Sequence, residues 1–238
     1  NRHFFFFYYF RDNYEQSLSR LPFVSAQTVI NKIEVWVTNK TRQTEEVREI
    51  VAFQDLGETT KIYNTAHVFS TGGTYPENKA NNLYNIITHA PNSGDFRDPS
   101  RCISFLESNG FQAVDDFEKV SARKLAPTEY TFNPQLGYIS LNQQLRPDEV
   151  LGVAIQYTVN GTVHQIGEFA TDLPPLADTT KTKDQILALK MLKATSIRTT
   201  EPIWNLMMKN VYSLGAFNVS PDQFIFDIYY IDPDGGQK

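Results

Sequence analysis

The sequence holds a single cysteine, Cys102, so no disulfide can form within the chain. A chain of 238 residues can bury an adequate core without one, and a free cysteine is most often a buried packing residue. Basic residues are also few, since 22 Lys and Arg face 27 Asp and Glu for a net charge of −5. We therefore expect no nucleic-acid partner, because such a partner requires a basic face.

Long hydrophobic runs are missing from the sequence, and none approaches the roughly 20 apolar residues of a transmembrane helix. The aromatic run at residues 4–10 (FFFFYYF) is bounded by His3 and Arg11. It lacks the basic flank and the small-residue cleavage site of a signal peptide. Because the chain starts at Asn1, beside this hydrophobic run, we interpret it as a piece of a longer polypeptide.

Motifs of the common enzyme classes are missing as well: there is no glycine-rich phosphate loop, nucleophile elbow or EF-hand pattern. The four histidines (His3, His67, His89 and His164) do not have the spacing of a zinc-binding helix. Three carboxylate pairs occur at predicted turns or helix starts: Asp95 with Asp98, Asp115 with Asp116, and Asp232 with Asp234. We therefore expect no enzyme activity, cofactor or metal site, and we assign no catalytic or binding residue.

The sequence is rich in aromatic residues, with 17 Phe and 12 Tyr, and these favour strands. Asn160-Gly161 joins two β-rich runs, and Asn-Gly accepts the positive φ angles of a type I′ turn, so a β-hairpin is predicted. Alternation in IEVWV (residues 33–37) predicts a half-buried strand. Further strands are predicted in these ranges: residues 49–53, 137–141, 203–214 (with a bulge) and 224–231.

Helices are predicted where apolar residues recur at steps of three and four. Phe7, Phe10, Tyr14, Leu18 and Leu21 lie on one such face, which ends at Pro22. Other helices are predicted in these ranges: residues 83–87, residues 99–108 before Asn109-Gly110, residues 114–125, and residues 186–192. Residues 70–82 and 90–98 are predicted loops, because Gly, Pro, Asn and Ser cluster there.

This order of elements predicts an α+β fold, with a β-sandwich-like or antiparallel sheet core and inserted helices. We expect one domain over residues 1–238. It could be subdivided into β-rich parts at residues 1–75 and 127–238, with a helical and loop-rich insert at residues 76–126. The aromatic segment near the start and residues 224–231 are both too hydrophobic to be exposed, so we expect them to pack near each other.

Several blocks carry a resemblance to a known family. They are residues 10–15 (FRDNYE), 32–39 (KIEVWVTN), 50–58 (IVAFQDLGE), 81–84 (NNLY), 121–172, 189–196 and 204–215 (WNLMMKNVYSLG). In these blocks the sequence resembles the SprA/Sov proteins, the giant outer-membrane translocons of the Bacteroidetes type 9 secretion system, which are linked to gliding motility. The resemblance extends over nearly the whole chain, and none of its blocks is a catalytic motif.

The resemblance implies a soluble structural domain inserted between the strands of a very large outer-membrane barrel. Such a domain would cap or shape one mouth of the protein-secretion pore, with the extracellular face favoured and the periplasmic face as the alternative. The implied partners are the rest of the parent barrel, an accessory outer-membrane barrel protein, a periplasmic plug and secreted cargo proteins.

An alternative from another class is a surface glycan-binding β-sandwich module. It predicts an exposed aromatic platform, with Trp36, Tyr63, Tyr75 and Trp204 as candidates. Trp36 lies on an alternating strand and Trp204 lies inside an apolar run, so we expect both to be core residues instead.

Overall fold

The computed structural model describes residues 2–40, 46–173, 185–216 and 218–220, together with residues 222, 225, 227, 229, 231, 232, 236 and 237. The strands are β1 (His3–Phe5), β2 (Thr28–Thr38), β3 (Val47–Phe53), β4 (Phe117–Lys124), β5 (Tyr130–Asn133), β6 (Tyr138–Leu141), β7 (Leu151–Val159), β8 (Thr162–Ile166), β9 (Leu187–Lys193), β10 (Ile231–Asp232) and β11 (Gly236–Gln237). The helices are α1 (Tyr8–Ser17), α2 (Leu83–His89), α3 (Gly94–Arg97), α4 (Cys102–Ser108) and a 3₁₀ helix (Pro202–Leu206).

The main sheet closes on itself. Its strands follow the order β2-β4-β3-β9-β7, and a further pairing of β7 with β2 completes the circle, while β8 extends β7 as a hairpin. The neighbouring strands are antiparallel except for the parallel pair β3–β9. The α+β prediction with a mainly antiparallel sheet core is therefore confirmed, and that core is a closed, barrel-like sheet.

The hairpin at Asn160-Gly161 is confirmed. Val159 of β7 pairs with Thr162 of β8, so the loop has two residues. Asn160 has φ of 48° and Gly161 has φ of 78°, and a type I′ turn requires positive φ at both positions. The turn chemistry that the sequence carries locally therefore sets the register of these two strands.

The inside of the closed sheet is filled by side chains. All five of its strands contribute to one buried cluster, and Phe169, from the segment after β8, joins it: Trp36, Ile50, Ala122, Ala154, Phe169, Leu187 and Leu189. Residues from five different strands can meet in this way only inside a closed sheet. Closed sheets of few strands have such packed interiors.

A larger core covers the outer face of the closed sheet and contains the aromatic run of residues 4–10. Part of this run forms β1, which joins a second sheet of order β1-β6-β5, and part forms α1. Phe10 of α1 lies against Gly137, where a Cβ atom would lie 2.0 Å from Phe10 Cγ. Burial of the aromatic run thus joins the small sheet to the closed sheet.

Two predicted helices are strands in the structure. Residues of β4 and β9 lie in ranges where apolar spacing predicted helices, and both strands belong to the closed sheet. All seven residues of β9 are buried. A strand that is buried on both faces has no polar alternation, so periodicity cannot distinguish it from a short buried helix.

Other predictions had mixed outcomes. The strands at residues 49–53 and 137–141 and the helices α2 and α4 are confirmed. Helix α1 is confirmed but ends at Ser17, before Leu18 and Leu21. The bulged strand predicted at residues 203–214 is wrong, since a 3₁₀ helix ends at Leu206 and residues 208–214 belong to no helix or strand.

The region of residues 224–231 is described only at residues 225, 227, 229 and 231. The strand predicted there therefore lies largely outside the described residues. Ile225 and Tyr229 are 84% and 60% exposed, so the expected burial of this stretch is wrong at these two positions. Among the residues that the structure describes, no helix is long and apolar enough to cross a membrane.

Candidate functional site

The most deeply buried charged residues of the described chain form an ion pair. Lys190 of β9 and Glu58, in the loop after β3, have side chains that are 0% and 1% exposed, and Lys190 Nζ lies 2.8 Å from Glu58 Oε1. Lys190 Nζ also donates a hydrogen bond to the backbone oxygen of Gln54. The ammonium group lies 6.0 Å from the ring centroid of Phe7 and 5.8 Å from that of Tyr8.

Burial raises the pKa of two carboxyl groups here, that of Glu58 and that of the neighbouring Asp55. Burial raises the pKa of Glu58 to about 7, against the lowering effect of the Lys190 ammonium. Burial also raises the pKa of Asp55, although its carboxylate accepts hydrogen bonds from the backbone N–H groups of Tyr63 (2.8 Å) and Asn64 (2.9 Å). The two carboxyl groups and the lysine form a charged centre beneath the aromatic N-terminal segment.

A second buried carboxylate lies just after β8. Glu168 receives a bidentate pair of hydrogen bonds from Arg97, with Nη1–Oε2 at 2.6 Å and Nη2–Oε1 at 2.5 Å. It also accepts hydrogen bonds from the Tyr84 hydroxyl (3.0 Å) and the backbone N–H of Ala188 (2.9 Å). This one carboxylate connects α2, α3 and β9, and its hydrogen bonds compensate for the cost of burying its charge.

Two more buried charges hold segments together in the same way. Glu118 of β4 accepts hydrogen bonds from the backbone N–H (2.6 Å) and the hydroxyl group of Thr195. Lys193 donates to the backbone oxygens of Pro147 (2.9 Å), Glu149 (2.6 Å) and Ala194 (3.1 Å). Burial lowers the pKa of Lys193. Glu118 and Lys193 therefore hold the segments around Glu149 and Thr195 against strands β4 and β9 of the closed sheet.

Surface clefts lie elsewhere on the domain. One, of about 400 Å³, lies where β2 and β4 end and includes Lys40, Arg123 and Arg146. Another, of about 470 Å³, lies between α1 and the start of β2. A third, of about 410 Å³, is lined by Tyr63, His67 and neighbouring polar groups. The first contains the ion pair of Arg123 with Glu129 (2.9 Å).

The predicted carboxylate pairs are engaged in local contacts. Arg101 bridges Asp95 (3.2 Å) and Asp98 (3.8 Å) at the start of α4. Asp115 pairs with Arg198 (2.8 Å), whereas Asp116 accepts a hydrogen bond from Asn64 (2.9 Å). Of the third pair, Asp232 lies in β10 and Asp234 is outside the described residues.

The histidines lie apart from one another in separate contacts. His3 contacts Ser140, His89 contacts Thr88, and His164 lies 3.1 Å from Glu77 and stacks on Tyr157. Within the described part of the chain, no three His, Cys, Asp or Glu side chains are grouped so as to hold a metal ion. Cys102 is buried, as expected, and burial raises the pKa of its thiol to about 12.

The aromatic side chains proposed for a glycan platform do not form one surface. Trp36 is buried inside the closed sheet, as expected of a core residue. Trp204 is only partly buried, with Lys209 Nζ 4.7 Å from its ring centroid, and it is not among the buried core residues, so the expectation that it is a core residue is wrong. Tyr75 packs edge-on against Tyr9, and Tyr63 lines the third cleft.

The buried pair of Lys190 and Glu58 was missed from the sequence. The apolar spacing of residues 186–192 (ILALKML) predicts a helix, and a helix gives Lys190 no buried role. The available signal was a single lysine inside an otherwise apolar run, since a lysine is rarely fully buried unless it is paired. The position of Glu58 after β3 carries no comparable signal.

Comparison with protein-family models and with curated proteins finds no match to this chain.

Proposed function

We propose that this chain is a non-enzymatic, rigid structural domain of a type 9 protein-secretion translocon, which caps or shapes one mouth of a large outer-membrane pore. The proposal rests on the buried ion pairs, which connect segments that lie far apart in the chain. Lys190 with Glu58, and Glu168 with Arg97, hold separate segments against one closed sheet. A domain tied together in this way can keep its shape while large cargo moves past it.

The blocks that resemble the SprA/Sov family contain the residues that build this architecture. Glu58 lies in the block of residues 50–58, and Lys190 lies in the block of residues 189–196. Residues 121–172 include β5 to β8 together with Glu168. The resemblance therefore includes both partners of the most buried ion pair and much of the closed sheet, and this supports a shared architecture.

In the proposed mechanism the domain acts by its shape. It narrows or closes one mouth of a wide barrel, so that the pore does not leak between transport events. The accessory outer-membrane protein, the periplasmic plug or the cargo contact its loops, and the rest of the parent barrel holds it in place. The extracellular face is the favoured position, and the periplasmic face is the alternative.

Deletion of residues 1–238 from the parent protein tests the proposal, with a flexible linker replacing them. The expected result is higher outer-membrane permeability to a large antibiotic, or loss of secretion of a reporter cargo. The matched control is a parent that carries Phe69→Ser, an exposed loop position, which should behave as the unmodified protein. Normal permeability together with normal secretion in the deletion strain would refute the proposal.

The side of the membrane can be tested with a protease site inserted at Gly72-Gly73. Both residues are exposed, and a Cβ atom at Gly72 would meet nothing within 4 Å, so this loop offers room for an insertion. Cleavage in intact cells would support the extracellular position. Protection until the outer membrane is opened would support the periplasmic one.

A further inference from the structure

The chain contains two Asn-Gly dipeptides, Asn109-Gly110 and Asn160-Gly161. Such a dipeptide is chemically reactive, because the backbone nitrogen of the glycine can attack the side-chain Cγ atom of the asparagine, and the glycine has no side chain that hinders the approach. The attack requires an asparagine side chain that is free to turn and a glycine N–H that donates no hydrogen bond. The folded structure therefore decides which of the two dipeptides reacts.

Asn109-Gly110, at the end of α4, is held by hydrogen bonds at both reacting groups. The Asn109 side chain donates from Nδ2 to the Phe105 oxygen (2.9 Å), and the Gly110 N–H donates to the Glu107 oxygen (3.0 Å). The His67 ring also lies against Gly110, where a Cβ atom would lie 2.3 Å from His67 Cε1. A reaction at this dipeptide therefore requires the end of α4 to open first.

Asn160-Gly161, at the tip of the β7–β8 hairpin, differs on each of these points. Both residues are exposed, and a Cβ atom at Gly161 would meet nothing within 4 Å. Within the part of the chain that the structure describes, neither the Asn160 side chain nor the Gly161 N–H makes a hydrogen bond. The next two positions, Thr162 and Val163, are exposed as well. Local opening of this tip therefore requires little free energy.

We propose that Asn160 is a site of spontaneous modification, at which the Gly161 backbone nitrogen displaces ammonia from the Asn160 side chain. The Gly161 N–H first loses its proton to hydroxide in the solvent. A bond then forms between this nitrogen and Asn160 Cγ, the bond from Cγ to Nδ2 breaks, and the leaving nitrogen takes a proton from water and departs as ammonia. The product is a five-membered succinimide ring.

Water opens this ring at either of its two carbonyl carbons, which gives aspartate or isoaspartate, and no oxidant or reductant is needed. Aspartate accepts the positive φ of a type I′ turn, so this product keeps the hairpin. Isoaspartate leads the backbone through the former side chain and adds a methylene group to the loop between the paired residues Val159 and Thr162. It should therefore loosen β8, which holds His164 3.1 Å from Glu77. The inference does not depend on the proposed function.

The test is peptide mass spectrometry of the purified 238-residue chain during incubation at pH 8, where replacement of NH₂ by OH raises the mass of the reacted peptide. In the folded chain Asn160 should react about tenfold or more faster than Asn109, because two hydrogen bonds must break first at Asn109. In concentrated urea both dipeptides lose their surroundings, so their rates should become similar. The reaction should also be slower at pH 6, because less hydroxide is present.

Matched variants separate the reaction from its consequence. Gly161→Ala places a methyl group beside the attacking nitrogen and should slow the reaction at Asn160 several-fold. Its control is Gly72→Ala, at another exposed glycine with positive φ and nothing within 4 Å of the added Cβ atom, which should leave the rate at Asn160 unchanged. Asn160→Asp has the charge of the products without the extra methylene group. It should melt as the parent chain does, whereas the purified isoaspartate form should melt at a lower temperature.

Three outcomes would overturn the inference: equal rates at Asn109 and Asn160 in the folded chain, a reaction at Asn160 in urea but none in the folded chain, or an unchanged rate in Gly161→Ala. An isoaspartate form that melts like Asn160→Asp would show that the hairpin tolerates the longer loop, which contradicts the predicted loosening of β8. These measurements use the purified chain, while the deletion strain is tested for permeability and secretion, so each proposal can fail without the other.

Discussion

Lys190 and Glu58 form a fully buried ion pair, with Nζ 2.8 Å from Oε1, between strand β9 and the loop that follows β3. The aromatic rings of Phe7 and Tyr8 lie beside the ammonium group. The pair therefore joins three parts of the chain: the N-terminal aromatic segment, the loop after β3 and strand β9 of the closed sheet. Burying two charges is costly, so this contact should matter most when one partner is removed.

Lys190→Met should destabilise the domain strongly at pH 8. The substitution leaves the Glu58 carboxylate buried without a counter-charge, and such changes cost about 3–5 kcal/mol. The double variant Lys190→Met/Glu58→Leu removes both charges and should recover much of the loss. Urea unfolding of the three proteins measures this, and a double variant less stable than the single one would contradict the explanation.

Stability should decrease as the pH rises from about 5 to 8. The pKa of Glu58 is about 7 in the folded chain against 4.5 for the ordinary side chain. A raised pKa means that the folded state holds the proton more tightly, so this contribution is complete below about 4.5 and lost as the pH passes 7. The pKa of Asp55 is raised in the same direction. Urea midpoints at pH 5.5 and pH 8 measure the effect.

The variant Glu58→Gln isolates the contribution of this residue, because glutamine does not titrate. The difference in stability between pH 5.5 and pH 8 should be smaller in this variant than in the parent chain. If the variant kept the full difference, the titrating group would have to be another one.

Arg97→Met should cost about 2–4 kcal/mol, because it leaves Glu168 buried and without its bidentate partner. The matched control is Arg101→Met in the same region. Arg101 is 68% exposed and contacts Asp95 and Asp98 at the surface, so its loss should change stability by less than about 1 kcal/mol. Equal effects of the two substitutions, measured by urea unfolding, would show that burial does not set the strength of these ion pairs.

Gly137→Ala should be far more costly than Gly72→Ala. Both glycines have positive φ, 65° and 89°, so each substitution carries a backbone cost of about 1–2 kcal/mol. At Gly137 the new Cβ atom would also lie 2.0 Å from the Phe10 ring, whereas at Gly72 it would meet nothing within 4 Å. We expect an additional loss of about 1–3 kcal/mol at Gly137 from overpacking. Thermal unfolding of both variants would show it, and similar melting temperatures would mean that α1 does not dock on Gly137.

Elements whose ends are set by the conformational preferences of a few neighbouring residues were predicted correctly from the sequence. The hairpin at Asn160-Gly161 depends on two residues that accept positive φ, and α4 ends at Asn109-Gly110, where Gly110 has φ of 86°. Such preferences belong to the residues themselves and act before any long-range contact forms. The strands β3 and β6 also follow from short runs of β-favouring residues.

The strands β4 and β9 were not predicted, because the tertiary structure overrides their helix-like spacing. Leu187, Leu189 and Ala122 point into the closed sheet, while Phe117 and Ala188 face the outer core. In β9 all seven residues are buried, which removes the polar alternation that distinguishes a strand in the sequence. Strand β4 keeps Ser121 exposed, and it is a strand because it pairs with β2 and β3. The ion pair of Lys190 and Glu58 could not be predicted either, because it depends on which strands and loops become neighbours in the folded chain.

The sequence by itself determined the turns, the high strand content, the α+β class and the burial of Cys102 and Trp36, because these depend on residue type and on near neighbours in the chain. Only the tertiary structure decided that the sheet closes through β2 and β7, that Lys190 meets Glu58, and that Leu21 and Phe23 are exposed on the turn after α1. Closure and charge pairing depend on contacts between residues far apart in the chain, and local preferences do not encode those contacts.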